Sequence, residues 1–349
     1  MRLQSAQKTV QRQRGSRASS GSGWGSGLAS GSGLAPGSAL VSALVLVAIA
    51  AAIASAIAWQ GLVQISRAEL SRDQAQAQWI ARAAVRYAQW LLQVDGGLTG
   101  SNTATDSSSL IDHLSEPWAQ RIPITPIQDL FPTQISKEDA LQFGQARFAG
   151  GIEDLHARLN LADLLASSDP SAQALSQWQA ITDMAGLANE EASNLLAQLQ
   201  QAGSQMRESR HRPALAQRLA ALQSALTRAK LKPAAHARLE QWLTWLPETT
   251  PVNVNTAPLE VIAAALGQAR AIGVDRLIET RERFPLRTIS EVEAVLGNRY
   301  SVSNRLDTKS RFFQAKGVAI FGRAELPFEA IIRRTGADSN VLLYKEGAL

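Results

Sequence analysis

From Ser38 to Ser66 the chain carries no charged side chain, and Ala39 to Ile49 is almost wholly apolar. About 20 such residues cross the hydrocarbon layer as one helix, so residues 38–59 are expected to span a membrane. From Trp59 to Val94 the pattern changes to a helical period. Ile65, Ala68, Ala75, Trp79, Ala83, Tyr87, Trp90 and Leu91 recur on one stripe, while Arg67, Glu69, Arg72, Asp73, Arg82 and Arg86 fill other positions. No proline interrupts the two patterns, so one long helix is expected over 38–95. Its second part should lay that stripe on a globular body, with Gly96-Gly97 as the stop.

Further along, Glu116-Pro-Trp118 and the proline-rich run 122–127 lead to 146–154 and 156–161. These read as two short strands, with Gly150-Gly151 and Glu153-Asp154 at the join, where turn chemistry is expected. From Ala162 to Leu246 the period is again 3.6 residues, carried by leucines and by Trp178 and Trp242. The C-terminal part returns to strands at 312–321, 325–334 and 341–344. Long helix, strands, helices, strands is the order of an all-α domain inserted into an α/β (α+β) one built on an antiparallel sheet. The expected divisions are 1–37, 38–95, 96–161, an inserted α-domain at 162–309, and closing strands at 310–349.

The most distinctive local motif is Val252-Asn253-Val254-Asn255-Thr256-Ala257-Pro258 before an apolar helix. Alternation gives an extended approach, Thr256 offers an N-cap with Asn253 and Asn255 ordering the start, and Pro258 suits a first turn. A second start, Ser290 to Glu293, reads as a capping box closed by Gly297.

The charges are unevenly placed along the chain. The net charge of +5 comes entirely from Arg2, Lys8, Arg12, Arg14 and Arg17; the rest holds 30 basic and 30 acidic residues. Those five precede the apolar run, which places the N-terminus in the cytoplasm. Residues 15–37 are a Gly/Ser leader that cannot bury a core. There is no cysteine, and the four histidines are isolated from one another. No nucleophile elbow, phosphate loop or zinc spacing occurs, so an enzyme is not expected. The tryptophans at helical apolar positions, Trp79, Trp90, Trp178 and Trp242, are expected in cores.

The Asn253 to Ala257 start, the segment from Arg281 to Pro285 and the capped helix at Ser290 resemble the SAM-like module of K-type minor pseudopilins of type II secretion systems. The Gly37/Ser38 junction is similar too, as are Glu116-Pro-Trp118 and Gly151 to Leu161. The resemblance implies a pilin-like fold and a prepilin peptidase cut after Gly37, with methylation of the new terminus. It also implies a single-pass inner-membrane protein with its folded part in the periplasm. Ser42 stands where most pilin-like subunits have glutamate, a departure K-type members share. Ala43, Ala50 and Ala54 would allow close helix approach. Implied partners are minor pseudopilins of the I and J types, the major pseudopilin, the peptidase and the inner-membrane secretion platform. The role implied is the pseudopilus tip, nucleating assembly for protein export. The resemblance also allows calcium, but Asp163, Asp169 and Asp183 lack the spacing of an oxygen cage, and no ligand is assigned.

The rival reading is a membrane-tethered helix-hairpin-helix protein of a DNA-uptake system, with Arg270, Arg276 and Arg281 on phosphates. Against it, Gly267 and Gly273 lie six apart and the exported part is neutral. No nucleic acid is expected.

Overall fold

The computed structural model describes residues 36–98, 111–130, 144–208, 214–297, 299–336 and 338–347. The chain forms two compact units, Met1–Gln64 and Ile65–Leu349, and helix α1 (Pro36–Gln93) contributes to both. Most of the Gly/Ser leader lies outside the described residues. In the first unit α1 carries the uncharged run, and it is long and apolar enough to cross a membrane, with none of that window buried.

In the second unit α1 ends at Gln93 and runs into a π-turn, Val94–Leu98, where Gly97 takes φ 99°. That left-handed value favours glycine and accounts for the stop. Five antiparallel strands form the sheet in the order β1-β2-β7-β8-β9. They are β1 (Ile122–Pro126), β2 (Ala146–Asp154), β7 (Phe312–Phe321), β8 (Ala324–Thr335) and β9 (Asp338–Glu346). Pro123 and Pro126 withhold two donors from β1, which suits an edge strand.

The residues that seat α1 on the sheet differ from those the periodicity selects. Ala77, Ile80, Ala81, Val85, Ala88 and Leu92 are buried against Phe148, Phe313, Phe328 and Ile332. Trp79 and Trp90 are instead 67% and 50% exposed, and only Trp178 and Trp242 of the four tryptophans are core residues. The physical reason is depth. Alanines let the helix axis approach a sheet face already filled by phenylalanine rings, and an indole on that face would overpack it.

Gly150 and Gly151 sit in the middle of β2, not at a turn. Gly150 lies opposite Gly317 of β7, and a Cβ at either would meet the backbone of the facing strand. The Phe148 and Phe328 rings stack at 6.2 Å on the neighbouring positions. The turn expected at the glycines comes after Asp154, as the 3-10 segment Leu155–Ala157. The strand beyond it shrinks to β3 (Leu159–Asn160).

The opposite face of the sheet meets the helical block through Phe312, Ile331, Leu155, Leu215 and Leu246. Helices Ala172–Ala185, Asn189–Glu208, Leu215–Arg228 and Pro233–Trp242 surround Trp178, Ile181, Leu195, Leu199 and Leu239. Ser171 caps the first of them, accepting from Ala174 N at 3.1 Å. Gly186 ends it at φ 85°. Two short parallel pairs, β3 with β4 (Leu243–Thr244) and β5 (Val252–Asn253) with β6 (Leu306–Asp307), stitch the block together. The architecture is therefore a long N-terminal helix packed on an antiparallel sheet, with a largely helical insertion between β3 and β7 whose only strands among the described residues are the two-residue β4, β5 and β6.

Candidate functional site

A buried polar junction joins the sheet to the insertion, and the Asn-Val-Asn-Thr motif is its centre. Asp154, the last residue of β2, accepts through Oδ2 from Asn253 Nδ2 at 3.1 Å, Thr256 Oγ1 at 2.5 Å and Ser310 Oγ at 2.6 Å. Its Oδ1 accepts from His156 N at 2.7 Å. Asn253 also donates to Asp112 O at 3.1 Å, and its Oδ1 takes Asn255 N at 2.9 Å. Asn255 exchanges two bonds with the Leu286 backbone, at 2.9 and 3.0 Å. Buried polar groups need such partners; the bonds from His156 N and Asn255 N are local, and the others come from distant parts of the chain.

Two capping assignments change in consequence. Thr256 is not an N-cap: the following helix, Leu259–Ala265, starts after Pro258, and the Thr256 hydroxyl is drawn to Asp154. In the helix Ile289–Leu296 the cap is Thr288, which accepts from Glu291 N at 3.3 Å, while Glu291 accepts from Arg287 N at 2.7 Å. The box therefore sits two residues before Ser290 and Glu293, because the chain already turns helical at Ile289.

Next to the junction, Asp95, Asp112 and Glu116 bring carboxylate oxygens within 4.8 Å of one another. Arg334 of β8 bridges two of them, reaching Asp95 Oδ2 at 2.5 Å and Asp112 Oδ1 in a short contact. Asp112 Oδ2 accepts from Ser310 N at 2.7 Å. Glu116 Oε2 accepts from His113 N at 2.9 Å and Trp118 Nε1 at 2.7 Å. Burial pushes the Asp112 carboxyl up to about 6 against the pull of Arg334. It pushes Glu116 up to about 7. Burial likewise lowers His156, whose Nε2 accepts from Arg311 N at 3.1 Å. Three carboxyl groups, with both Asp112 oxygens and one oxygen each of Asp95 and Glu116 already engaged by Arg334 or N–H donors, do not supply the six to eight oxygens calcium takes.

In the 252–297 module, Arg281 is committed to structure. Its Nη1 donates to Val254 O at 2.5 Å and Ala257 O at 2.6 Å, clamping the loop whose side chains enter the junction. Burial lowers its pKa. Arg270 and Arg276 are exposed. Gly267 and Gly273, at φ 74° and 95°, flank an exposed connection in which Ile272 N donates to Tyr300 Oη at 2.9 Å. Adjacent carboxylates at the end of β2 separate as strand geometry requires. Asp154 turns into the junction, and Glu153 outward to Arg121, Arg158 and Lys316 at 3.3, 3.0 and 3.4 Å.

The remaining sequence-selected residues lie on α1. Gly37 and Ser38 fall in its first turn. Ser42, Ala43, Ala50 and Ala54 are all exposed, as are the larger apolar side chains from Leu40 to Ile57. Asp95, Asp112 and Arg334 of the junction carry no motif in the sequence, whereas Glu116 and Asp154 stand out there only through Glu116-Pro-Trp118 and Glu153-Asp154. The available signal was Arg333-Arg334 inside an apolar strand, where alternation must turn one arginine inward.

No family model matches the chain. No curated protein matches it. Among solved structures, it is similar to a chain in the crystal structure of the GspK-GspI-GspJ complex from the enterotoxigenic Escherichia coli type 2 secretion system. That likeness has 16% identity and a TM-score of 0.49, over 81% of this chain and 100% of that one. At that level it transfers no residue roles.

Proposed function

We propose that this chain is a minor pseudopilin of the K type: a single-pass inner-membrane subunit with its folded part in the periplasm. It would sit at the tip of a type II secretion pseudopilus and nucleate assembly with I-type and J-type minor pseudopilins. The observation that carries the reading is the exposed, uncharged stretch from Leu40 to Ile57, which follows a basic leader and a Gly37/Ser38 junction. Ser42 at the fifth position after that junction supports a terminal place. A glutamate there would pair with the amine of a subunit above, and a tip subunit has none. The inserted helices add bulk that a subunit stacked on top would meet.

The DNA-binding alternative loses its central cation, because Arg281 holds two backbone carbonyls and is not free for phosphate. The test is co-purification of the full chain with companion pilin-like subunits expressed together. Ala50→Phe or Ala54→Phe should abolish it by spacing the helices apart. Intact co-purification in both variants would remove the membrane helix as the assembly interface. Salt-sensitive micromolar DNA binding that vanished on mutating Arg270 and Arg276 would restore the alternative.

A further inference from the structure

On β7, Phe313, Ala315 and Ala319 face α1, so the alternate residues Gln314, Lys316 and Val318 face away from it. The helical block packs on the Phe312 and Ile331 end of that second face. Farther along it, Ala149 and Gly151 of β2 with Lys316 and Val318 of β7 floor a trough of about 820 Å³, which Arg158 and Pro258 also line. Three cations converge there on one carboxylate: Arg121, Arg158 and Lys316 lie 3.3, 3.0 and 3.4 Å from Glu153. Asp154 borders the trough too, but both its oxygens are bonded inside the junction. Glu329, opposite Lys316, accepts from Gln314 and has Lys345 across its other side.

These cations are placed by the fold. Arg121 is 84% exposed at its side chain and, among the described residues, gives one of its five N–H donors to Glu153. Gly151 accounts for its course: a Cβ there would come within 3.2 Å of Arg121 Cγ, so the missing side chain makes room for the arginine stem. Arg158 is 19% exposed and is aimed by a second bond, to Gln314 Oε1 at 3.3 Å. A guanidinium already oriented, with two further cations beside it, is preorganised for a second carboxylate.

We propose that this trough receives a short, extended acidic segment of a partner protein. Volume sets its length and form. At a rise of about 3.3 Å and a section of about 4.8 by 10 Å, extended chain fills 820 Å³ with about five residues. The same space holds at most about two turns of a helix about 10–12 Å across, too few to hold together unaided. The three cations set the sign of the occupant, and the low floor at Ala149 and Gly151 lets its backbone lie close. Its carboxylates would draw Arg121 and Lys316 away from Glu153. The trough lies on the sheet face turned away from α1, so the proposal goes beyond the assembly reading and does not depend on it.

The experiment uses the full chain in phosphatidylcholine nanodiscs. It is titrated in a calorimeter with a terminally capped pentapeptide of alternating glutamate and alanine, and with the same peptide carrying glutamine or lysine for glutamate. The glutamate peptide is expected to bind and to weaken with salt, and the other two not to bind. Arg121→Gln with Lys316→Gln should weaken binding by roughly tenfold or more, as the loss of two charge-assisted contacts requires. Glu153→Gln should instead tighten it by roughly threefold or more, because a competing like charge leaves the site. A damaged fold cannot produce that gain. Failure of the glutamate peptide to bind, equal binding of all three peptides, or a Glu153→Gln variant that binds no tighter would overturn the proposal. So would displacement of the glutamate peptide by equimolar inorganic phosphate, which would make the trough a general anion site.

Discussion

At the scale of single residues, Asn253 shows how a local motif can serve distant parts of the chain. Its amide reaches Asp112, Asp154 and Ser310, which lie 141, 99 and 57 positions away. The sequence marks Asn253, Asn255 and Thr256 as unusual, but local rules offer only capping for such residues; the partners come from other elements and no short window contains them. Asn253→Ala should cost on the order of 2–3 kcal/mol, because it strips donors from buried acceptors. Thr288→Ala should cost about 1 kcal/mol as a lost cap, and Ser290→Ala within about 0.5 kcal/mol as an ordinary surface change. Urea unfolding of a fragment from Trp59 onward measures all three. Equal losses at Thr288 and Ser290 would contradict the position of the cap.

The acids beside Arg334 give a prediction in pH. Burial raises Asp112 to about 6 and Glu116 to about 7, above their unfolded values, so the folded form holds protons the unfolded form has released. Their contribution to stability is fully present below the ordinary carboxyl range and is lost as pH rises through about 6 and then about 7. Unfolding midpoints should therefore fall between about pH 5 and about pH 8, and Glu116→Gln should flatten the upper part of that fall. A midpoint that rises over the same window would show that these carboxyls are not protonated in the fold. Arg334→Met should be far more damaging, about 3–5 kcal/mol, since it leaves Asp112 and Asp95 without their counter-charge.

At the scale of elements, α1 was legible in extent but not in orientation. Its continuity, its stop at Gly96-Gly97 and its amphipathic pattern all follow from the sequence. The pattern nevertheless weights Trp79, Tyr87 and Trp90, while the buried line runs through Ala77, Ala81 and Ala88. An alanine scores weakly as hydrophobic, yet it is the side chain that admits close approach to a sheet filled by Phe148, Phe313 and Phe328. Ala81→Leu should destabilise by about 1–3 kcal/mol through overpacking, and Trp79→Ser by no more than about 0.5 kcal/mol. The reverse order in thermal or urea unfolding would mean that the helix seats on its aromatic face. The mid-strand glycines of β2 were misleading for a related reason, since glycine marks a close approach as readily as a turn.

At the scale of the whole molecule, the order of long helix, strands, helices and strands was legible because each change of period is long enough to read. The ties that make sheet and insertion one compact unit were not, since Asp154, Ser310 and Arg334 carry no periodic signal. What the fold leaves exposed is an apolar, uncharged helix with small side chains, a feature that makes sense only in lipid or against other helices. On the reading proposed above, this helix is displayed by a cut after Gly37 that turns a basic-leader precursor into an assembly subunit. N-terminal sequencing of the protein extracted from membranes of cells that also express a prepilin peptidase tests it directly. The expected product is a mature chain that begins at Ser38, with an uncut precursor when Gly37 is replaced by Val. A chain that begins after the apolar run, near Ala58, would make the run a signal peptide and rule out a pilin-like subunit.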